Sequence, residues 1–158
     1  MTRAARLKAA LNPYRGPALR ELAERAGTDF IAAQRAIKGR PLSVSNYLKL
    51  CAAAGIHPML DNVSAKRAAV GDFHRTSFGC AVRMWRIATK EGLRPAAKRM
   101  GIKHSTLQRI EHGEAVSVSA TILTCLHIGR NPYEFTANVS RETSTATARL
   151  EHTRELAR

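Results

Sequence analysis

The feature that most constrains this chain is an internal repeat. Residues 19–59 align with residues 93–133 at a constant offset of 74, without a gap, and 14 of the 41 positions are identical. Among the conserved pairs are Ala23 and Ala97, Gly27 and Gly101, Gln34 and Gln108, Arg35 and Arg109, Gly39 and Gly113, and Cys51 and Cys125. Shared alanine-rich composition would not favour glycines in register, so the pattern reads as a duplicated folding unit. Two copies are too few for a solenoid.

The repeated residues are helix punctuation. Gly27 and Gly101 each follow a short amphipathic stretch, where a helix ends in a left-handed residue. Gly39 and Gly113 close the next helix, and Gly55 and Gly129 a third. Ser43 and Ser117 stand at the N-cap of that third helix, and Pro58 and Pro132 suit the first turn of a further short one. The first helix of each unit falls at about 3–11 and 79–90. Alanine and leucine carry most of the apolar content, aromatics are only 5%, and no alternating β-branched run predicts a sheet. The expectation is an all-α protein with thin cores: two tandem units of four to five short helices. They span 1–61 and 78–136, joined by a polar connection over 62–77. A Thr- and Ser-rich tail over 137–158 contains a stretch, Ala148 to Ala157, that could form a helix.

Charge narrows the partner. There are 26 Lys and Arg against 12 Asp and Glu, a formal net charge of +14. Such an excess favours a polyanion through counterion release, without separating DNA from RNA. Three cysteines with no CxxC spacing, no signal-like N-terminus and only short apolar runs predict a reduced, cytoplasmic protein that does not enter a membrane. The six histidines lack metal-ligand spacing, and no Ser/His/Asp set or phosphate-binding glycine loop is present. Neither a metal, a cofactor nor an enzymatic activity is expected.

The second copy carries the sharper chemistry. From Leu93 to His112 the spacing is that of a helix-turn-helix: Ala97 is small where the second helix crosses, and Gly101 permits the turn. Ala96, Met100, Ile102, Leu107 and Ile110 point inward on this pattern. His104, Ser105, Gln108 and Arg109 then face outward, a plausible base-reading set for a major groove. Arg94, Lys98, Arg99 and Lys103 would neutralise phosphates. The alternatives are a solvated or ion-paired Arg109 near Glu111 and a neutral surface His104.

The run from Gly101 to Gly113, with Ser117 and the segment Gly129 to Phe135, resembles the Cro/lambda-repressor-like (xenobiotic-response-element) family of bacterial and phage regulators. That resemblance implies five-helix domains whose third helix enters the major groove, often as a dimer on a pseudo-palindromic operator. Base contacts carried over fall on His104, Ser105 and Arg109, and phosphate contacts on Arg94, Lys103 and the stretch around His112. Glu114 departs from the basic or polar residue common there and would repel phosphate.

The first copy, Leu19 to Lys38, keeps the core pattern and changes the outward face to Phe30, Ile31, Gln34 and Arg35. Asp29 replaces Lys103. This face either touches DNA, with apolar contact to thymine methyls, or packs on a protein. The function expected is a sequence-specific regulator of transcription on double-stranded DNA, located at the nucleoid and commonly a repressor. The rival is a protein-interaction module, an antitoxin or anti-activator, using Phe30 and Ile31. RNA binding is disfavoured by the scarcity of aromatic stacking platforms.

Overall fold

Helix signals are local, and local signals repeated at one offset should give elements repeated at that offset. The structure, a computed structural model, describes residues 3–60 and 70–138. Its first half runs α1 (Arg3–Leu11), α2 (Gly16–Ala26), α3 (Phe30–Ile37) and α4 (Val44–Ala54). Its second half runs α5 (Arg75–Ala88), α6 (Leu93–Met100), α7 (His104–Glu111) and α8 (Val118–Ile128), then a 3₁₀ turn over Pro132–Phe135. The bounds of α3 and α7, and of α4 and α8, differ by the repeat offset of 74 at both ends. Ser43 and Ser117 accept from the Asn46 and Ala120 amides, as N-caps do. Gly27 and Gly101 sit at φ 65° and 70°, where a residue with a Cβ would be strained.

The described residues are mostly helical, with one departure from an all-helical chain. Two short strands, β1 (Val70–Phe73) and β2 (Thr136–Asn138), pair antiparallel, with an irregularity between Val70↔Asn138 and Phe73↔Thr136. Strands of four and three residues are too short to show an alternating pattern, so nothing local announces them. β1 lies inside the stretch read as a polar connection, and α5 also begins there, at Arg75 rather than near residue 79. Of the short helices expected to begin at Pro58 and Pro132, the second forms as the 3₁₀ turn, whereas described residues 58–60 are not helical. Asn131 accepts from the Tyr133 amide while Glu134 accepts from Asn131, and that bond holds the Glu134 carboxyl below its usual range. At the matching position the His57 Nδ1 accepts from the Met59 and Leu60 amides instead. The tail from residue 139, with its suggested helix, lies outside the described residues.

The buried side chains of both halves form one continuous cluster rather than two separate thin cores. In the first half it is lined by Leu7, Leu11, Leu22 and Leu48, and in the second by Val82, Leu107, Ile110 and Ile122. Phe73, Phe78 and Phe135 close it where β1, α5 and the 3₁₀ turn meet, with ring centroids 5.2 to 6.3 Å apart. Polar bonds cross between the halves as well. Tyr133 donates to the Leu48 carbonyl at 3.2 Å, and Ser45 Oγ accepts from the Phe73 amide at 3.0 Å. Lys49 pairs with Asp72 at 2.8 Å, which lowers the Asp72 pKa. Cys51 and Cys125 are buried at matching positions, and burial pushes each thiol up to about 12.

Candidate nucleic-acid interface

α6 and α7 are set against the core by small and apolar residues of one stripe. Ala96, Ala97, Met100, Leu107 and Ile110 are all buried, and Ile102 in the turn is half-buried. These are the positions the repeat assigns inward. The close crossing of α5 over the end of α7 depends on Gly79, because a Cβ there would lie 2.2 Å from the Ile110 carbonyl oxygen. An ion pair fixes the same crossing. Arg86 on α5 donates from Nε and Nη2 to the Glu111 carboxylate at 2.6 and 2.9 Å, with Glu111 only 8% exposed. Nη1 of Arg86 also donates to the Glu91 carbonyl. This brace was not legible in the sequence, since partners 25 positions apart carry no pairing signal.

With that face inward, His104, Ser105, Gln108 and Arg109 are all exposed on the opposite side of α7. Lys103, the N-cap residue, makes no side-chain cap bond, and Gly92 has no side chain with which to cap α6. Pro95 has no amide hydrogen, and the Ala96, Thr106 and Leu107 amides are bonded to the Gly92 and Lys103 carbonyls, so the charge offered to an anion here comes mainly from the exposed side chains of Arg94 and Lys103.

The carboxylates decide the sign of this surface. Every one among described residues 70–138 is ion-paired: Asp72 with Lys49, Glu91 with Arg99, Glu111 with Arg86, Glu114 with Arg109 and Glu134 with Arg130. Among the described residues Arg75, Arg83, Lys90, Arg94, Lys98 and Lys103 are left without a carboxylate partner. Of the four cations expected at phosphates, Arg94, Lys98 and Lys103 are thus unneutralised, while Arg99 is held by Glu91. Arg109 is engaged too: Nε donates to Glu114 at 2.9 Å and Nη2 to the Ala115 carbonyl at 2.6 Å. Glu114, expected only to repel phosphate, holds Arg109 against the loop after α7.

No family model, curated protein or solved structure matches the chain.

On the first half, α3 presents a different face. Ile31 is 67% exposed, but Phe30 is half-buried against the core, with the Arg20 guanidinium 5.4 Å from its ring centroid. The expected pair of outward apolar residues is therefore one outward residue. Asp29 caps α3 by accepting from the Ala32 amide. Gln34 and Arg35 are exposed, and the position matching Glu114 is occupied by Arg40. Among the described residues neither Arg35 nor Arg40 has a carboxylate partner, so on these residues the end of α3 is more positive than the end of α7. The offset of 74 contains this reversal, but only the observed Arg109–Glu114 pair gives it meaning.

Among the described residues no His, Cys, Asp and Glu group could hold a metal ion. No described helix is long and apolar enough to cross a membrane.

Proposed function

We propose that the chain binds double-stranded DNA and regulates transcription, with α6 and α7 acting as a helix-turn-helix and α7 entering the major groove. On this reading α2 and α3 form a second, divergent unit of the same type. The observation that carries the proposal is the contrast on α7: its outward face holds His104, Ser105, Gln108 and Arg109, while the neighbouring carboxylates are all paired. Arg94, Lys98 and Lys103 would bind phosphates and set register. Gln108 and Arg109 have donors suited to adenine and guanine edges, and Arg109 would exchange Glu114 and the Ala115 carbonyl for the base. Repression at an operator, by a protein associated with the nucleoid, is the outcome the resemblance implies. A homodimer would place four such units on one site.

Selection of a preferred duplex, followed by binding titrations at several salt concentrations, tests this. Arg109→Ala is expected to cost about 1–3 kcal/mol on the selected duplex and to relax preference at one base pair. Lys103→Ala is expected to weaken all duplexes alike and to flatten the salt dependence. Failure to enrich any duplex, or equal loss on selected and random DNA for Arg109→Ala, would sink the assignment.

A second reading is favoured by Ile31, an exposed aliphatic side chain on α3 beside a groove that includes Leu42, Arg35 and Asn46. It makes the first half a protein-docking unit, as in an antitoxin or anti-activator. Ile31→Asp tests it without disturbing the core, which Phe30→Asp would do. Loss of a co-purifying partner with unchanged DNA binding would favour this reading.

A further inference from the structure

A cleft of about 310 Å³ lies where the two halves meet, between α1, the segment after α3 and the first turn of α8. Its walls are mainly apolar and drawn from both halves, with Leu7, Leu42, the Tyr47 ring and Val118 flanked by Ser117 and Ser119. Two cations, Arg3 and Arg40, lie on its rim. Among the described residues neither has a carboxylate partner, and no acidic side chain lines the cleft. Its volume is at the lower end for small-molecule sites, which are largely apolar with a few charged groups fixing orientation.

We propose that this cleft binds a small amphipathic carboxylate, with its apolar body against Leu7, Leu42, Tyr47 and Val118 and its carboxylate between Arg3 and Arg40. A phosphodiester or inorganic anion would satisfy the arginines but leave the apolar walls in water. A neutral or cationic amphiphile would fill the walls but leave the arginines unpaired or repelled. An anionic head group on an apolar tail answers both features, and a carboxylate is the smallest such head group that two guanidinium groups can share. The occupant would touch Gly39 and Arg40 after α3 and the start of α8, so that one ligand spans the junction of the halves.

The site is tested on the full chain without nucleic acid, so its outcome is independent of the DNA-binding proposal. Calorimetric titration with sodium octanoate is expected to give saturable one-to-one binding. Hexanoate should bind about tenfold more weakly, from the loss of two buried methylenes. Octan-1-ol, octylammonium and inorganic phosphate should each bind at least about tenfold more weakly than octanoate. Arg40→Ala, at an exposed loop position, should weaken octanoate about tenfold and leave octan-1-ol unchanged. The proposal is overturned if octanoate does not saturate, if phosphate binds as tightly, or if Arg3→Ala and Arg40→Ala both leave octanoate affinity unchanged.

Discussion

At Gly79 a single hydrogen in place of a methyl group lets α5 lie on the last turn of α7. A Cβ there would meet the Ile110 carbonyl oxygen at 2.2 Å, and a backbone oxygen cannot rotate away. Alanine favours a helix by about 0.5–1 kcal/mol over glycine, yet here the clash outweighs that gain. Gly79→Ala is expected to destabilise by about 3 kcal/mol, read from the midpoint of a urea transition. An unchanged midpoint would show that α5 and α7 do not cross so closely. The cysteines give a second residue-scale expectation. Cys51 and Cys125 are buried with thiols pushed up to about 12, whereas Cys80 is exposed on α5. Alkylation at pH 8 should therefore modify Cys80 rapidly and the other two only on unfolding, because the thiolate is the nucleophile. Mass mapping of the labelled peptides checks the order.

Among elements, the decisive relation is between α5 and α7. Apolar burial at Leu107 and Ile110 holds α7 against the core, and the Arg86–Glu111 pair fixes where its end lies. Removing one member leaves the other charge poorly solvated. Glu111→Gln is expected to cost about 3 kcal/mol and, on the DNA-binding reading, to weaken specific binding although Glu111 faces away from the reading side. A double-mutant cycle with Arg86→Met separates the pair from packing, and additive effects would remove the pair as the brace. These elements differ in how well the sequence announced them. The ends of α3, α4, α7 and α8 follow from residues adjacent in the chain, Ser43, Ser117 and the repeated glycines, which carry their own backbone preferences. The start of α5 and both strands carry no such marker, because His74 makes no side-chain cap bond and β1 is paired with β2 far along the chain.

Over the whole molecule, the repeat has become one body. Tyr133 reaches Leu48, Lys49 reaches Asp72, and Ser45 receives the Phe73 amide, all above a continuous buried cluster. Shared burial couples unfolding, so the full chain is expected to unfold in a single calorimetric transition. Two resolved transitions would show that each half holds its own core. The amino-acid sequence by itself determined the duplication, the helix ends, the inward stripe of α6 and α7, and the large positive charge, because all of these rest on residue type and short spacing. Tertiary structure alone decided which charges cancel. It gave Glu114 to Arg109, Glu111 to Arg86 and Glu91 to Arg99, turned Phe30 inward under Arg20, and brought α1 and α8 to one cleft. The physical reason is that a side chain's partner is chosen by what lies within a few ångströms, and distance along the chain does not specify that neighbour.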